Sequence, residues 1–228
     1  MDPLPDVGLI DKSGLRRDAL RNIGQLLRAT GDLLRSNPSE ASMQNIAEKA
    51  NVSPATAYRY FPTLQHLHTE FLYSILVAVR DFSFGSQARG TQLFEAVCLN
   101  WVETLEMYGP ALTQIRSTQG FLERLDVDDS VATVIRDTWE RPVREVLREL
   151  GISEKHTRHC LFLSNTLLDS REIGDLLQTE GLTRKQLAFL LSEAFYGAAR
   201  GWSQAAAQIF VNVEHEKVFL DSPTPDGT

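Results

Sequence analysis

Two helix-start signals eleven residues apart constrain what residues 42–61, SMQNIAEKANVSPATAYRYF, can form. Ser42 can accept a hydrogen bond from an unpaired amide in a first helical turn. Met43, Ile46, Ala47 and Ala50 then recur three and four apart and give that helix one apolar face. Asn51 follows as the turn residue, because Asn tolerates the left-handed backbone region better than most residues with a side chain. Val52 is placed to plug the angle between two helices. Ser53-Pro54 opens the second helix: Ser is a good N-cap, and proline at the first helical position gives up an amide hydrogen that had no partner there.

On the second helix Ala57 and Phe61 lie four apart and should pack inward, which turns Thr56, Arg59 and Tyr60 outward and Tyr58 toward one flank. Hydroxyls, phenols and a guanidinium on one face, with no Asp or Glu between Asn51 and Phe61, suit a helix lying in the major groove of DNA. Tyrosines at this spacing also occur as half-buried core residues with wet hydroxyls. The caps, the turn and the lack of acid together favour the helix-turn-helix reading.

The block Ile46-Ala47-Glu48, Ala50-Asn51-Val52-Ser53, Thr56-Ala57-Tyr58-Arg59-Tyr60-Phe61, Pro62 resembles the DNA-binding domain of the TetR family of bacterial transcriptional regulators. Upstream, Leu26-Leu27, Ala29 and Leu33-Leu34 resemble the family's first helix, so the likeness covers about residues 16–80. It implies a homodimer that sets paired recognition helices in successive major grooves of an inverted-repeat operator in double-stranded DNA. It also implies a C-terminal domain that binds a small-molecule effector. Carried over by position, Gln44, Pro54, Ala55, Thr56 and Arg59 face base edges, Ser42, Tyr58 and Tyr60 hold phosphates, and Ser53 heads the recognition helix. Two positions depart from the pattern. Asn51 stands where glycine is common, and Leu64 stands where a phosphate-gripping lysine is common. One lost phosphate contact should lower the salt dependence by about one unit of slope, with His66 or His68 a partial substitute.

The net charge of −7 argues against a DNA partner until it is divided along the chain. Residues 1–80 carry nine Lys/Arg and eight Asp/Glu, so the acid excess lies wholly in the remainder. Lys12, Arg16, Arg17 and Arg21 form either an arm that reaches the DNA backbone or a solvated helix start. No apolar run approaches the ~20 residues of a membrane span, and the start MDPLPDVGL does not resemble a signal peptide, so a cytoplasmic location and no membrane partner are expected. Cys98 and Cys160 are far apart and lack metal-type spacing, which suggests buried reduced thiols.

Everything beyond residue 62 reads as helix, so the fold class is all-α: an N-terminal three-helix DNA-binding domain plus a C-terminal helical bundle. The expected divisions are a flexible arm over 1–15, the helix-turn-helix domain over 16–63, the ligand-binding and dimerisation domain over 64–212, and a flexible tail over 213–228. Leu67, Phe71, Ile75 and Val79 recur along a connector helix over 64–84. Gly109-Pro110 should stop the next helix, residues 110–126 should form short helices and turns, and a helix from Ser130 to Gly151 should be kinked at Pro142. One further helix is expected from Ser153 to about Asp169 or beyond. Thr183 and Gln186 form a capping box for the last long helix. Its small-residue stripe Leu187, Leu191, Ala194, Ala198, Gly201 and Ala205 is assigned to a dimer interface with its symmetry mate and the helix from Ser153, with a second stripe Phe195, Ala199, Trp202, Ala206 and Ile209 beside it; the alternative is that both stripes are intrachain core.

A ligand pocket is expected among Phe94, Cys98, Trp101, Tyr108, Phe121, Trp139, Phe162, Asn165, Phe195 and Trp202, with Asn100, Thr104 and Arg200 as further polar handles. A small, largely apolar effector that releases the protein from its operator is the expectation, making the protein a repressor. His156, His159 and Cys160 form H-x-x-H-C, but no third acidic ligand is clearly placed. With no nucleophile elbow, phosphate loop or dinucleotide fingerprint in the chain, no enzyme activity, metal or cofactor is expected. The alternative is a helical protein-interaction adaptor with weakened DNA binding, suggested by Leu64 and the acidic pI near 5.3.

Overall fold

The computed structural model describes residues 17–112 and 119–220, with side chains described over 17–108 and 119–208. The arm over 1–15 with Lys12, the adjoining Arg16, and the segments 113–118 and 221–228 lie outside the described residues. Ten α-helices and two short 3-10 turns account for the regular structure there, and no strand is present among the described residues.

The first three helices are α1 (Arg17–Ser36), α2 (Met43–Lys49) and α3 (Pro54–Tyr60). Ser42 caps α2 by accepting from the Asn45 amide at 3.2 Å, and Ser53 caps α3 by accepting from the Thr56 amide at 3.2 Å. Between them Asn51 takes φ +55°, the left-handed turn that the sequence anticipates. Ile46, Ala47, Ala57 and Phe61 are fully buried and Val52 is buried between the helices, so the apolar faces read from the spacing are those that pack.

Helix α4 (Leu64–Gly85) is shared between two cores. Leu67, Phe71, Leu72 and Ile75 on its first half close the core built by α1–α3, whereas Val79 packs into the body. The expected boundary at residue 64 therefore falls at the start of an element that belongs to both parts. Gly31 of α1 makes this closure possible. A Cβ there would sit 2.7 Å from the Phe71 ring, so hydrogen is the only group that lets α1 and α4 meet so closely.

The body contains α5 (Gly90–Leu112), α6 (Phe121–Asp126), α7 (Ser130–Glu149), α8 (Thr157–Leu167), α9 (Ser170–Thr179) and α10 (Arg184–Leu220). Gly90 starts α5 at φ +58°, with the Glu149 carboxylate occupying the place of a side chain. Glu149 accepts from the Thr91 amide at 2.8 Å and Glu145 from the Gly90 amide at 3.1 Å, so α7 supplies the capping groups of α5. Arg141 donates to the carbonyls of Ser83, Phe84, Ser86 and Ala88 and fixes the α4–α5 connection.

Three sequence expectations change. Helix α5 runs through Pro110 to Leu112 rather than stopping at Gly109-Pro110, because a proline so close to a helix end removes only one hydrogen bond. The single helix expected from Ser153 is a 3-10 turn followed by α8 and a separate α9, because Asp169 accepts from the Arg171 amide at 2.9 Å and restarts the chain. Helix α10 continues to Leu220, so the boundary expected at residue 213 falls inside it. Pro142 stands within α7 as foreseen, and Thr183 and Gln186 make their reciprocal cap at 3.0 and 3.3 Å.

Candidate nucleic-acid interface and the cavity behind it

The surface left uncovered by the α1–α4 core is the face the sequence assigned to DNA. Ser42, Gln44, Ser53, Pro54, Ala55 and Arg59 are exposed, Thr56 and Tyr60 are half-buried, and Tyr58 is 52% exposed. Local bonds set the side chains. Ser53 Oγ donates to Thr56 Oγ1 at 2.9 Å while accepting the Thr56 amide, so its role is to hold the head of α3. Arg59 donates to the Tyr60 hydroxyl at 2.9 Å, with its guanidinium carbon 4.9 Å from that ring's centre. The cation is thereby held against a ring anchored on the domain core, which lowers the entropy lost when it meets a phosphate or base.

Leu64 is half-buried and packs on the same core. His68 cannot supply the missing cation, because burial lowers its pKa below the usual histidine value and keeps it neutral at pH 7. His66 is exposed near the start of α4. Arg17 and Arg21 are exposed on the first turns of α1.

In the body a cavity of about 60 Å³ opens between four helices. It is lined by Leu76 and Val79 of α4, Trp101 of α5, Ile135, Thr138 and Trp139 of α7, and Ser164, Asn165 and Leu168 at α8. Of the ten residues expected to form a pocket, the structure brings Trp101, Trp139 and Asn165 together there. Phe94 stacks on Phe195 with centroids 4.3 Å apart inside the core, Cys98 is fully buried beside them, and Phe121 is buried at α6. Tyr108 packs against the DNA-binding core instead, and Phe162 and Trp202 face each other on the α8–α10 side at 6.4 Å. Thr104 donates to the Asn100 carbonyl and Arg200 is exposed, so neither reaches the cavity. Leu76, Val79, Ile135, Thr138, Ser164 and Leu168 were not foreseen as lining, because aliphatic and hydroxyl residues at helical spacing look the same in a solid core as around a void.

The α10 stripe divides. Leu187 and Leu191 are buried against the chain's own core, which corrects their assignment to a surface between subunits: α5 already covers that end of α10. Ala194, Gly201 and Ala205 are exposed and Ala198 is half-buried. Leu190 and Gly197 extend that exposed face, and Trp202 lies beside it stacked with His159 at 5.3 Å.

Both cysteines are free and buried. Burial pushes the Cys98 thiol up to about 12 and the Cys160 thiol up to about 11, so both stay protonated and unreactive at neutral pH. His156 is buried while His159 is exposed, and no group of three or more His, Cys, Asp or Glu is set for a metal ion among the described residues.

A short helix-turn-helix with an exposed acid-free recognition helix, mounted on an all-helical body, defines a DNA-binding regulator. Its helix-turn-helix part is similar to that of the TetR family. Residues 26–68 match the family model described as bacterial regulatory proteins, tetR family. The whole fold is similar to the crystal structure of a tetR-family transcriptional regulator from Streptomyces coelicolor, with TM-score 0.60 and 20% identity over 89% of this chain and 90% of that one. No match was found among curated protein sequences.

Proposed function

We propose that this protein is a homodimeric repressor that binds an inverted-repeat operator and leaves it when a small, largely apolar molecule enters the body. The observation that carries the DNA part is the outer face of α3, where Thr56, Tyr58, Arg59 and Tyr60 stand on a helix that has no Asp or Glu. On this reading Gln44, Pro54, Ala55, Thr56 and Arg59 meet base edges while Ser42, Tyr58 and Tyr60 hold phosphates.

The dimer face is the exposed side of α10, with Ala194, Gly197 and Gly201 allowing close helix approach and α8 beside it. Leu76 and Val79 give the effector reading its physical content. They line the cavity from the same helix whose first half closes the DNA-binding core, so a molecule that needs more room there favours a different placement of α4. Only such a difference in affinity between two states shifts their populations. The cytoplasm is the expected site of action, and among the described residues no helix is long and apolar enough to cross a membrane.

The test is recovery of genomic fragments by the purified protein at near-physiological salt. A shared inverted repeat near promoters supports the reading. Random, salt-sensitive fragments alone would shift the weight to a helical adaptor.

A further inference from the structure

We infer that the cavity between α4, α5, α7 and α8 selects a neutral, flat aromatic molecule that donates a hydrogen bond, a phenol or a ring N–H compound, and that Asn165 is the residue that discriminates for it. The inference rests on reading this cavity as the effector site. None of its lining residues is titratable. An ionised ligand would leave water with no partner for its charge, which excludes carboxylates and ammonium compounds. Trp101 and Trp139 both line the cavity, and indole rings favour contact with a flat π-system.

The polar groups set the complementary chemistry. The Thr138 hydroxyl donates to the Val134 carbonyl at 2.8 Å, and the Ser164 hydroxyl donates to the Leu161 carbonyl at 2.9 Å. Trp101 Nε1 is spent on the Leu168 carbonyl at 3.0 Å. Each hydroxyl therefore has lone pairs to offer and no proton, and the Trp101 N–H is unavailable. Asn165 makes no side-chain hydrogen bond among the described residues and brings a free acceptor as well as donors. Three oxygens on the wall, those of Thr138, Ser164 and Asn165, are thus left to accept, and a ligand that donates can satisfy them.

The present volume of about 60 Å³ suits about two waters, while a cavity of about 150 Å³ is known to take benzene. Half-buried Leu76 and Ile135 are the side chains able to yield. Leu76 stands on α4, so the same movement that admits the ring bears on the helix that enters the DNA-binding core.

The experiment titrates the full-length protein at pH 7 with 4-ethylphenol, ethylbenzene and 4-ethylbenzoate, following tryptophan fluorescence and heat. Expected are binding of 4-ethylphenol about tenfold tighter than ethylbenzene, as one hydrogen bond provides, and no binding of 4-ethylbenzoate. Asn165→Leu should erase the preference for the phenol while ethylbenzene still binds. Thr138→Val, close in shape, should reduce it, with circular dichroism showing both variants folded. Equal binding of the benzoate, no binding of any of the three probes, or an undiminished phenol preference in Asn165→Leu would each overturn the inference. Binding in the expected order without any change in DNA affinity would support the inference and remove the effector reading. A charged compound that released DNA from this cavity would keep that reading and overturn the inference.

Discussion

The Tyr108 and Phe71 rings meet in a T-shaped pair with centroids 5.5 Å apart and planes at 75°, so the far end of α5 is seated in the core of the DNA-binding domain. Phe71 is fully buried, and its other side touches α1 at Gly31. One aromatic ring thus joins the first helix of the DNA-binding domain, the connector α4 and a helix that lines the cavity.

Gly31→Ala tests this junction because two effects oppose each other. Alanine gains about 1 kcal/mol of helix propensity over glycine, but the added carbon would collide with a packed ring, which costs about 1–3 kcal/mol. Destabilisation in urea melts is the expected result. Gly174→Ala in α9, where an added Cβ meets nothing within 4 Å, should stabilise by about 0.5–1 kcal/mol. Gain of stability at both positions would contradict the close α1–α4 contact.

The double change Tyr58→Ala and Arg59→Ala removes a phenol and a cation from an exposed face and touches no buried side chain. DNA binding should collapse while the thermal midpoint moves little. An enzymatic turnover or a protein partnership, by contrast, would survive the change.

Leu64→Lys restores a cation at the start of α4. The salt slope of DNA binding should steepen by about 0.9 for each head bound. Leu64 also packs on the domain core, so a small loss of stability should accompany the gain in affinity. An unchanged slope would show that this position does not approach the phosphates.

Ala194→Arg and Gly201→Arg place bulk and charge on the exposed α10 face without entering the core. Each should turn a dimer into a monomer in sedimentation at micromolar concentration, with helicity unchanged. A wild-type monomer under the same conditions would rule out the proposed interface at the outset.

Asp129 makes the stability of the fold depend on pH. Burial pushes its carboxyl up, but this is outweighed by the Ala132 amide at 2.9 Å and the Arg124 guanidinium at 2.7 Å, leaving the pKa below the usual carboxylate value. A depressed folded pKa gives stability that is present above the unfolded value, about 3.9, and lost as pH falls through the folded one. Asp129→Asn keeps a capping oxygen and removes the charge. The stability gap between wild type and Asp129→Asn should be open at pH 7 and narrow as pH falls below the unfolded value of about 3.9. A gap that stayed constant over that range would show that the charge contributes nothing.

The sequence by itself determined the parts whose physics is local. The caps at Ser42 and Ser53, the left-handed turn at Asn51, the inward pair Ala57 and Phe61, and the Thr183–Gln186 box all depend on residues within a few positions of one another. For the same reason the outward face of α3 could be read directly, since a helix whose inner face is known has its outer face fixed. Tertiary structure decided what a periodic stripe packs against. Leu187 and Ala194 share one stripe on α10, yet the first is core and the second exposed, because α5 covers only one end. Trp101 and Phe94 share one helix, yet only the first meets the cavity, because a void depends on how four helices fail to fill the space between them. Tyr108 reaches Phe71, which lies 37 positions earlier in the chain. No local pattern encodes that contact, since it exists only once α4 has entered both cores.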